Sequence, residues 1–165
     1  MNSRPRLNLK LTTTDYVLEV AGWLTLIATW FWVLVNYQDL PSIIPTHFNG
    51  AGNVDGTGPK STIIWLPIVA SLLFIGQTVL NKFPHLFNYL VEITEDNAQA
   101  HYQLATRLMR YLKLFINILF FAITFETIYV ALHHKNIFGV WFLPGTLLLT
   151  FVPIIIYLIQ ASKIK

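Results

Sequence analysis

The segment that organises this chain is residues 38–60, which read QDLPSIIPTHFNGAGNVDGTGPK and lie between two long apolar segments. It contains four of the eight glycines and three of the eight prolines. Proline fixes φ and disfavours helix, whereas glycine permits turns with positive φ. A segment of this length without helix or strand signals is usually functional or disordered. Because Ile44, His47 and Phe48 argue against disorder, the sequence predicts an ordered functional loop.

The composition indicates a membrane protein. The 165 residues are 55% hydrophobic and 12% charged, whereas charged residues make up about 25% of an average soluble domain. The net charge of +3 does not indicate nucleic acid, because the basic residues flank apolar segments rather than form one face. The absence of cysteine excludes disulfides, thiolate nucleophiles and Cys-type zinc sites. The partner that the composition predicts is the lipid bilayer, with no nucleic acid.

Four apolar segments approach or exceed the length of about 20 residues that crosses a bilayer core. They are residues 17–35, 63–80, 114–132 and 137–159. The predicted fold class is therefore an all-α membrane protein, a single domain of residues 1–165 with four transmembrane helices. The first segment is too long for a signal peptide and is predicted to remain as an anchor.

Lysine and arginine residues set the predicted orientation. With a cytoplasmic N-terminus, nine of the eleven would lie on the cytoplasmic side, including Lys163 and Lys165 at the C-terminus. The two on the outer side would be Lys60 and Lys135. By the positive-inside rule both termini are cytoplasmic and the loop 38–60 faces outward.

The segment between the second and third spans is predicted to be a pair of cytoplasmic amphipathic helices over residues 84–113. Its apolar residues recur at helical spacing, and Thr94 is a candidate N-cap for the second helix. The pair could lie on the membrane or extend the third span, or it could dock a partner.

Two acidic residues fall within the spans. Glu126 lies about six residues, or roughly 9 Å, below the outer end of the third span. An ionisable group at that depth is a functional hypothesis with a partner to be found, and the candidates are Lys60, His47, His133 and His134. Alternatively, Glu126 only clamps the outer loop or is protonated. Glu19, near the cytoplasmic end of the first span, is expected to reach Gln77, Lys82 or interfacial water.

Small residues form a strip on the first span, which permits close helix packing. The strip comprises Ala21, Gly22, Thr25, Ala28 and Thr29. Packing within one subunit and packing in a homo-oligomer both remain open.

The loop side chains able to carry chemistry are His47, Asn49, Asp55 and Lys60. His47 and Asp55 are weak metal candidates, because two ligands are too few for a site and no further ligand motif accompanies them. No metal or other cofactor is therefore expected. The alternative is a loop folded by Asx turns, with His47 hydrogen-bonded to the backbone.

One pattern in the loop resembles a known family. It reads Leu40-Pro41-x-x-x-Pro45-x-His47-Phe48-Asn49-x-x-Gly52-x-x-Asp55-Gly56-x-Gly58-x-Lys60. Placed after a first transmembrane helix, it resembles the bacterial membrane family named domain of unknown function 1648, over roughly residues 24–67. That family includes the N-terminal part of the immunity protein against a sporulation-delaying toxin. The resemblance implies a multi-pass protein of the bacterial cytoplasmic (inner) membrane, and it assigns no reaction. The motif positions that it marks are His47, Asn49, Gly52, Asp55, Gly56, Gly58 and Lys60.

Three hypotheses of function follow. The leading one is a non-enzymatic recognition, immunity or signalling component whose outer loop, supported by Glu126, binds a peptide, toxin, lipid headgroup or protein partner. The second is a small metal-dependent membrane enzyme using His47 with Asp55 or Glu126. The third is an oligomeric proton- or ion-coupled transporter.

Overall fold

The structure is a computed structural model that describes residues 4–164; Lys165, predicted to be cytoplasmic, lies outside the described residues. Four α-helices and one pair of strands form the fold. In chain order they are α1 (Thr13–Asn36), β1 (Ile43–Phe48), β2 (Val54–Pro59), α2 (Trp65–Leu80), α3 (Ala98–His133) and α4 (Phe142–Ala161). Short 3-10 turns cover Lys60–Ile64, Pro84–Leu86 and Gly139–Trp141.

The four predicted spans are confirmed as four helices long and apolar enough to cross a membrane. With their adjoining 3-10 turns they are Thr13–Asn36, Lys60–Leu80, Ala98–His133 and Gly139–Ala161. Every residue of α4 keeps part of its surface exposed, and α4 packs mainly on α3. Such an apolar exposed surface is what a bilayer covers, which supports a multi-pass membrane protein.

The small-residue strip of α1 packs within the subunit. A Cβ added at Gly22 would lie 2.8 Å from the Phe74 ring of α2, so the two helices need glycine to approach this closely. Thr29 is fully buried, and the Trp30 indole donates a 3.0 Å hydrogen bond to the Ser71 hydroxyl. Gly22 and Thr29, two members of the strip, are therefore packed within a single subunit.

An ionic cluster, defined as Asp15, Glu19, Arg107, Arg110 and Lys113, joins the first half of α1 to α3. The Glu19 carboxylate lies 2.6 Å from Lys113 Nζ and 3.2 Å from Arg110 Nε. The Asp15 carboxylate lies 3.3 Å from Arg107 Nε and 3.7 Å from Arg110 Nη1. Buried charges are tolerated when they are paired in this way.

The partners predicted for Glu19, namely Gln77 and Lys82, are wrong. Glu19 instead pairs with Lys113. This pairing is possible because α3 begins at Ala98, well before the third apolar segment, so that its cationic residues lie beside α1. Lys113 Nζ also donates a 2.9 Å hydrogen bond to the Thr78 hydroxyl of α2, so one buried ammonium group connects three helices.

Of the predicted pair of helices over residues 84–113, the first is wrong, whereas the alternative that the segment extends the third span is confirmed for residues 98–113. Residues 81–97 form an irregular segment with one 3-10 turn, and residues 98–113 are the beginning of α3 rather than a separate helix. The N-cap is Asn97, not Thr94. Thr94 instead accepts the Ala98 N–H at its carbonyl and donates its own N–H to the Asn97 side chain, which closes a turn before the helix begins.

The apolar stripe predicted on those helices is buried only in part, since Ile93 is buried whereas Leu86, Leu90 and Tyr111 are exposed. Ile93, Ala98 and Tyr102 form a buried cluster against Leu9 and Tyr89. The N-terminal segment therefore packs on the buried side of the first turns of α3.

Within the segment 38–60, residues 43–59 form a β-hairpin rather than a loop without strands, so the all-α prediction is incorrect here. β1 and β2 pair antiparallel, with Ile44 opposite Gly58 and Phe48 opposite Val54. The register shifts on either side of His47, which marks an irregular bulge. Pro45 and the glycines of β2 are residues that disfavour strands, and they concealed the hairpin in the sequence.

Candidate functional site

The hairpin is anchored to the helix ends by an apolar cluster. Ile44 of β1 is buried against Val33 of α1 and Ile128 of α3, with Leu40 and Ile63 beside them. Burial of side chains of this size stabilises the contact by about 1.5–3 kcal/mol each. The hairpin is therefore held in a defined place over α1 and α3.

The Lys60 ammonium group is hydrogen-bonded to the backbone and stabilises the fold. Its Nζ donates 3.2 Å hydrogen bonds to the carbonyls of Tyr37 and Leu40, and it lies 5.0 Å above the centre of the Tyr37 ring. A cation is favourable at the C-terminal end of a helix, where carbonyls lack intrahelical partners. Lys60 thus fixes the base of the hairpin to the end of α1 and is not a partner of Glu126.

Asn49 folds the tip of the hairpin. Its side-chain carbonyl accepts hydrogen bonds of 3.0 Å from the N–H groups of Ala51 and Asn53. Its backbone N–H donates to the Asn53 carbonyl at 2.9 Å, and its own carbonyl accepts the Gly52 N–H at 2.8 Å. The tip therefore folds by the Asx turns of the alternative interpretation, although His47 is paired with the Asp55 side chain and not with the backbone.

The tip docks on the connection between α3 and α4. Gly52 has a φ of +81°, and a Cβ added there would lie 2.8 Å from the Gly139 Cα. The Asn136 side-chain amide donates to the Gly52 carbonyl. Glycine is required at position 52 both for its backbone conformation and for this close approach.

Gly56 and Gly58 leave room for the side chains of β1. A Cβ at Gly56 would lie 3.0 Å from the Cβ of His47, and one at Gly58 would lie 3.0 Å from the Cγ2 of Thr46. Both distances are tighter than ordinary contacts between side chains. These two motif glycines thus shape the strand pair around His47.

His47 and Asp55 form a pair across the two strands. The His47 Nδ1 contacts the Asp55 Oδ1, and the side chains are 71% and 43% exposed. A carboxylate on Nδ1 fixes the ring orientation and leaves Nε2 as the other reactive nitrogen. Within residues 4–164, no group of three or more His, Asp or Glu side chains is placed to hold a metal ion.

Glu126 is buried with one carboxylate oxygen unpaired. Its Oε1 accepts the Ile137 N–H at 2.9 Å, while its Oε2 has no hydrogen-bond partner among the described residues. The partners predicted for Glu126, namely Lys60, His47, His133 and His134, are wrong. A backbone amide takes that role because the chain turns back over α3 at residues 134–137. Glu126 therefore clamps the start of the segment that leads into α4, and not the loop 38–60 that the sequence interpretation named.

A cavity of about 580 Å³ lies beneath the hairpin, and both Glu126 and His47 line it. We call it the hairpin cavity. Its other walls are mainly apolar and come from β1, the turn before α2, α3 and the start of α4. They include Ile44, Phe48, Ile63, Leu66, Ile123, Phe138, Phe142 and Leu143. Four of the predicted site residues, namely His47, Asn49, Gly52 and Glu126, thus line one mainly apolar cavity.

Sequence reasoning missed the apolar walls of this cavity. Ile123 lies three residues before Glu126 on the same face of α3, so the helical spacing could have identified it. Phe138, Phe142 and Leu143 gave no signal, because apolar residues in a membrane segment do not reveal which of them face a pocket.

The comparisons with known proteins point to the same segment. Residues 24–70 match a family model. It is described as Domain of unknown function (DUF1648), and the matched range contains the whole hairpin. This confirms the resemblance predicted around the motif, whereas the relation to the toxin-immunity protein stays a prediction. The match covers less than half of the chain.

One relative is archaeal. A protein of Archaeoglobus fulgidus, described as an uncharacterized protein, is 30% identical over 86 residues, which make up 47% of each chain. The present chain thus spans about half the length of that relative. No solved structure matches.

Proposed function

We propose that this protein is a non-enzymatic recognition component of the cytoplasmic membrane that binds an amphiphilic amine in the hairpin cavity. The observation that carries this proposal is the unpaired Oε2 of Glu126, a buried carboxylate oxygen in a cavity with mainly apolar walls. The role extends the leading hypothesis from the sequence by giving the ligand a chemical class.

The cavity has the size and lining of a ligand site. Small-molecule pockets measure about 300–1,000 Å³ and combine apolar walls with a few polar groups, and this cavity of about 580 Å³ lies within that range. Its walls suit a hydrocarbon chain or an apolar side chain. The exposed pair His47 and Asp55 adds polar character on the side of the hairpin.

The unpaired Oε2 of Glu126 indicates the chemistry of the ligand's polar end. A buried acceptor without a partner costs about 1–3 kcal/mol, and more when it is charged. Oε1 is already occupied by the Ile137 N–H, so a ligand N–H or ammonium group would bind Oε2. A lipid with an amino headgroup and the lysine of an apolar peptide or toxin both present this chemistry.

Binding of a long-chain amine tests the proposal. In nanodiscs, tritiated dodecylamine should bind saturably to the native protein, and dodecanol should compete poorly. Glu126→Gln should weaken binding roughly 10- to 100-fold, because it removes one charge-assisted hydrogen bond of about 1.5–3 kcal/mol. The control is Glu95→Gln, which neutralises an exposed carboxylate outside the cavity. Equal affinity in the native protein and Glu126→Gln would refute the role of Oε2.

A second candidate function is acid–base catalysis, which the pairing of His47 with Asp55 favours. A carboxylate that orients imidazole through Nδ1 leaves Nε2 to accept or donate a proton, and His47 lines the cavity. Mass spectrometry of the bound dodecylamine separates the two functions. Recognition predicts that the native protein and Asp55→Asn both bind the amine and leave it unchanged, whereas catalysis predicts a converted product that Asp55→Asn no longer forms although it still binds the amine.

The proposed orientation places the hairpin outside and both termini in the cytoplasm, on the strength of the lysine and arginine distribution. Because the chain has no cysteine, a single introduced thiol reports its own position. Thr57→Cys in β2 should react with a membrane-impermeant maleimide in intact cells, and Ser162→Cys should react only after permeabilisation. Both positions are exposed. The reverse labelling pattern would invert the topology.

A further inference from the structure

A second cavity lies at the opposite end of α2 from the hairpin. It measures about 460 Å³ and collects the side chains of two segments that are far apart in sequence. Its lining comprises Arg6, Leu7, Lys82, Phe83, His85 and Leu86. The lining thus contains two cationic side chains and an imidazole, together with apolar groups and no carboxylate.

The two cationic side chains of this basic cavity, Arg6 and Lys82, form no ion pair within residues 4–164. Within residues 4–164, the ion pairs of Arg107, Arg110 and Lys113 serve the ionic cluster, and none involves Arg6 or Lys82. Both side chains are exposed. Their positive charge is therefore free to attract an anion.

Arg4 holds the two walls of the basic cavity together. Its guanidinium donates to the carbonyls of His85 and Phe87, and it lies 5.4 Å above the centre of the Tyr89 ring. The N-terminal segment is thereby fastened to residues 85–89, which brings Arg6 beside Lys82. The cavity is thus built by specific contacts.

Apolar side chains surround the cations at the point where α2 has ended. Phe83, Leu86 and Leu90 are 43%, 65% and 86% exposed, and they lie in the irregular segment 81–97. Apolar groups exposed beside cationic ones characterise surfaces that lie in the membrane interface. A free phosphate ion would use the cations only, whereas a phospholipid would also use the apolar surface.

We propose that the basic cavity binds the headgroup of an anionic phospholipid. Arg6 and Lys82 contact its phosphate, His85 supplies a further hydrogen bond, and Phe83 and Leu86 lie along the acyl chains. In the proposed orientation this lipid belongs to the cytoplasmic leaflet. The site is independent of the hairpin cavity and does not depend on its function.

Lipid retention and thermal unfolding test this site. The protein in phosphatidylcholine nanodiscs is compared with the protein in nanodiscs that also contain phosphatidylglycerol. We expect phosphatidylglycerol to raise the unfolding midpoint and to remain bound in native mass spectra. The variant Arg6→Gln/Lys82→Gln should lose the shift and bind the lipid roughly 30-fold more weakly, because each basic contact near an anionic surface contributes roughly fivefold.

Matched variants distinguish a site from a diffuse charge effect. Lys10→Gln/Lys163→Gln removes the same charge from exposed positions outside the cavity and should keep the shift, as should the charge-conserving exchange Arg6→Lys/Lys82→Arg. Equal loss in both glutamine pairs would overturn the proposal. A rise in the midpoint caused by inorganic phosphate in phosphatidylcholine nanodiscs would also overturn it, since the ligand would then be free phosphate.

Discussion

A Lys113→Ala protein should unfold at a markedly lower temperature than the native protein, with a loss of about 3 kcal/mol in the free energy of unfolding. The Lys113 side chain is buried, and its Nζ lies 2.6 Å from a Glu19 oxygen and 2.9 Å from the Thr78 hydroxyl. Removal of one partner from a buried ion pair leaves the other uncompensated, which typically costs about 3–5 kcal/mol. We take the lower end of that range because Glu19 keeps Arg110 at 3.2 Å and is partly exposed.

Thermal unfolding of the detergent-purified protein measures this loss. Lys135→Ala is the matched control, because that lysine is exposed and takes no part in the ionic cluster. The double variant Glu19→Gln/Lys113→Met should recover most of the stability, since it removes both charges and keeps similar side-chain volumes. If Lys113→Ala were as harmless as Lys135→Ala, the ionic cluster would not be a stabilising connection between α1 and α3.

The second large effect is expected at the tip of the hairpin. Gly52→Ala places a Cβ 2.8 Å from the Gly139 Cα in a residue whose φ is +81°. The left-handed conformation alone costs a residue with a Cβ about 1–2 kcal/mol, and the clash is with backbone, which cannot rotate away. The tip should therefore separate from the segment before α4, which forms part of the hairpin cavity.

Hydrogen exchange followed by mass spectrometry detects this separation. Amide exchange should accelerate in residues 49–53 and 134–141, and binding of dodecylamine should weaken because the cavity loses a wall. Gly50→Ala is the control, since a Cβ at Gly50 meets nothing within 4 Å. Unchanged exchange in Gly52→Ala would mean that the tip does not depend on its contact with Gly139.

The failed predictions have two physical causes. The partners of Glu19 are more than 90 residues away along the chain, and hydropathy does not specify how two helices align against each other. The hairpin was missed for another reason: Pro45 and the glycines of β2 disfavour strands locally, yet burial of Ile44 and the bonds of Lys60 and Asn49 hold the strand pair together.

The sequence by itself determined that four segments are long and apolar enough to cross a membrane, because this property depends on each segment alone. It also determined which polar segment matches a family model, because His47, Asp55 and the motif glycines are concentrated there. The tertiary structure alone decided that His47 is paired with Asp55 and that His47 and Glu126 line one cavity. Those relations depend on long-range packing of the hairpin over α3 and α4, where contacts between distant residues override local preference.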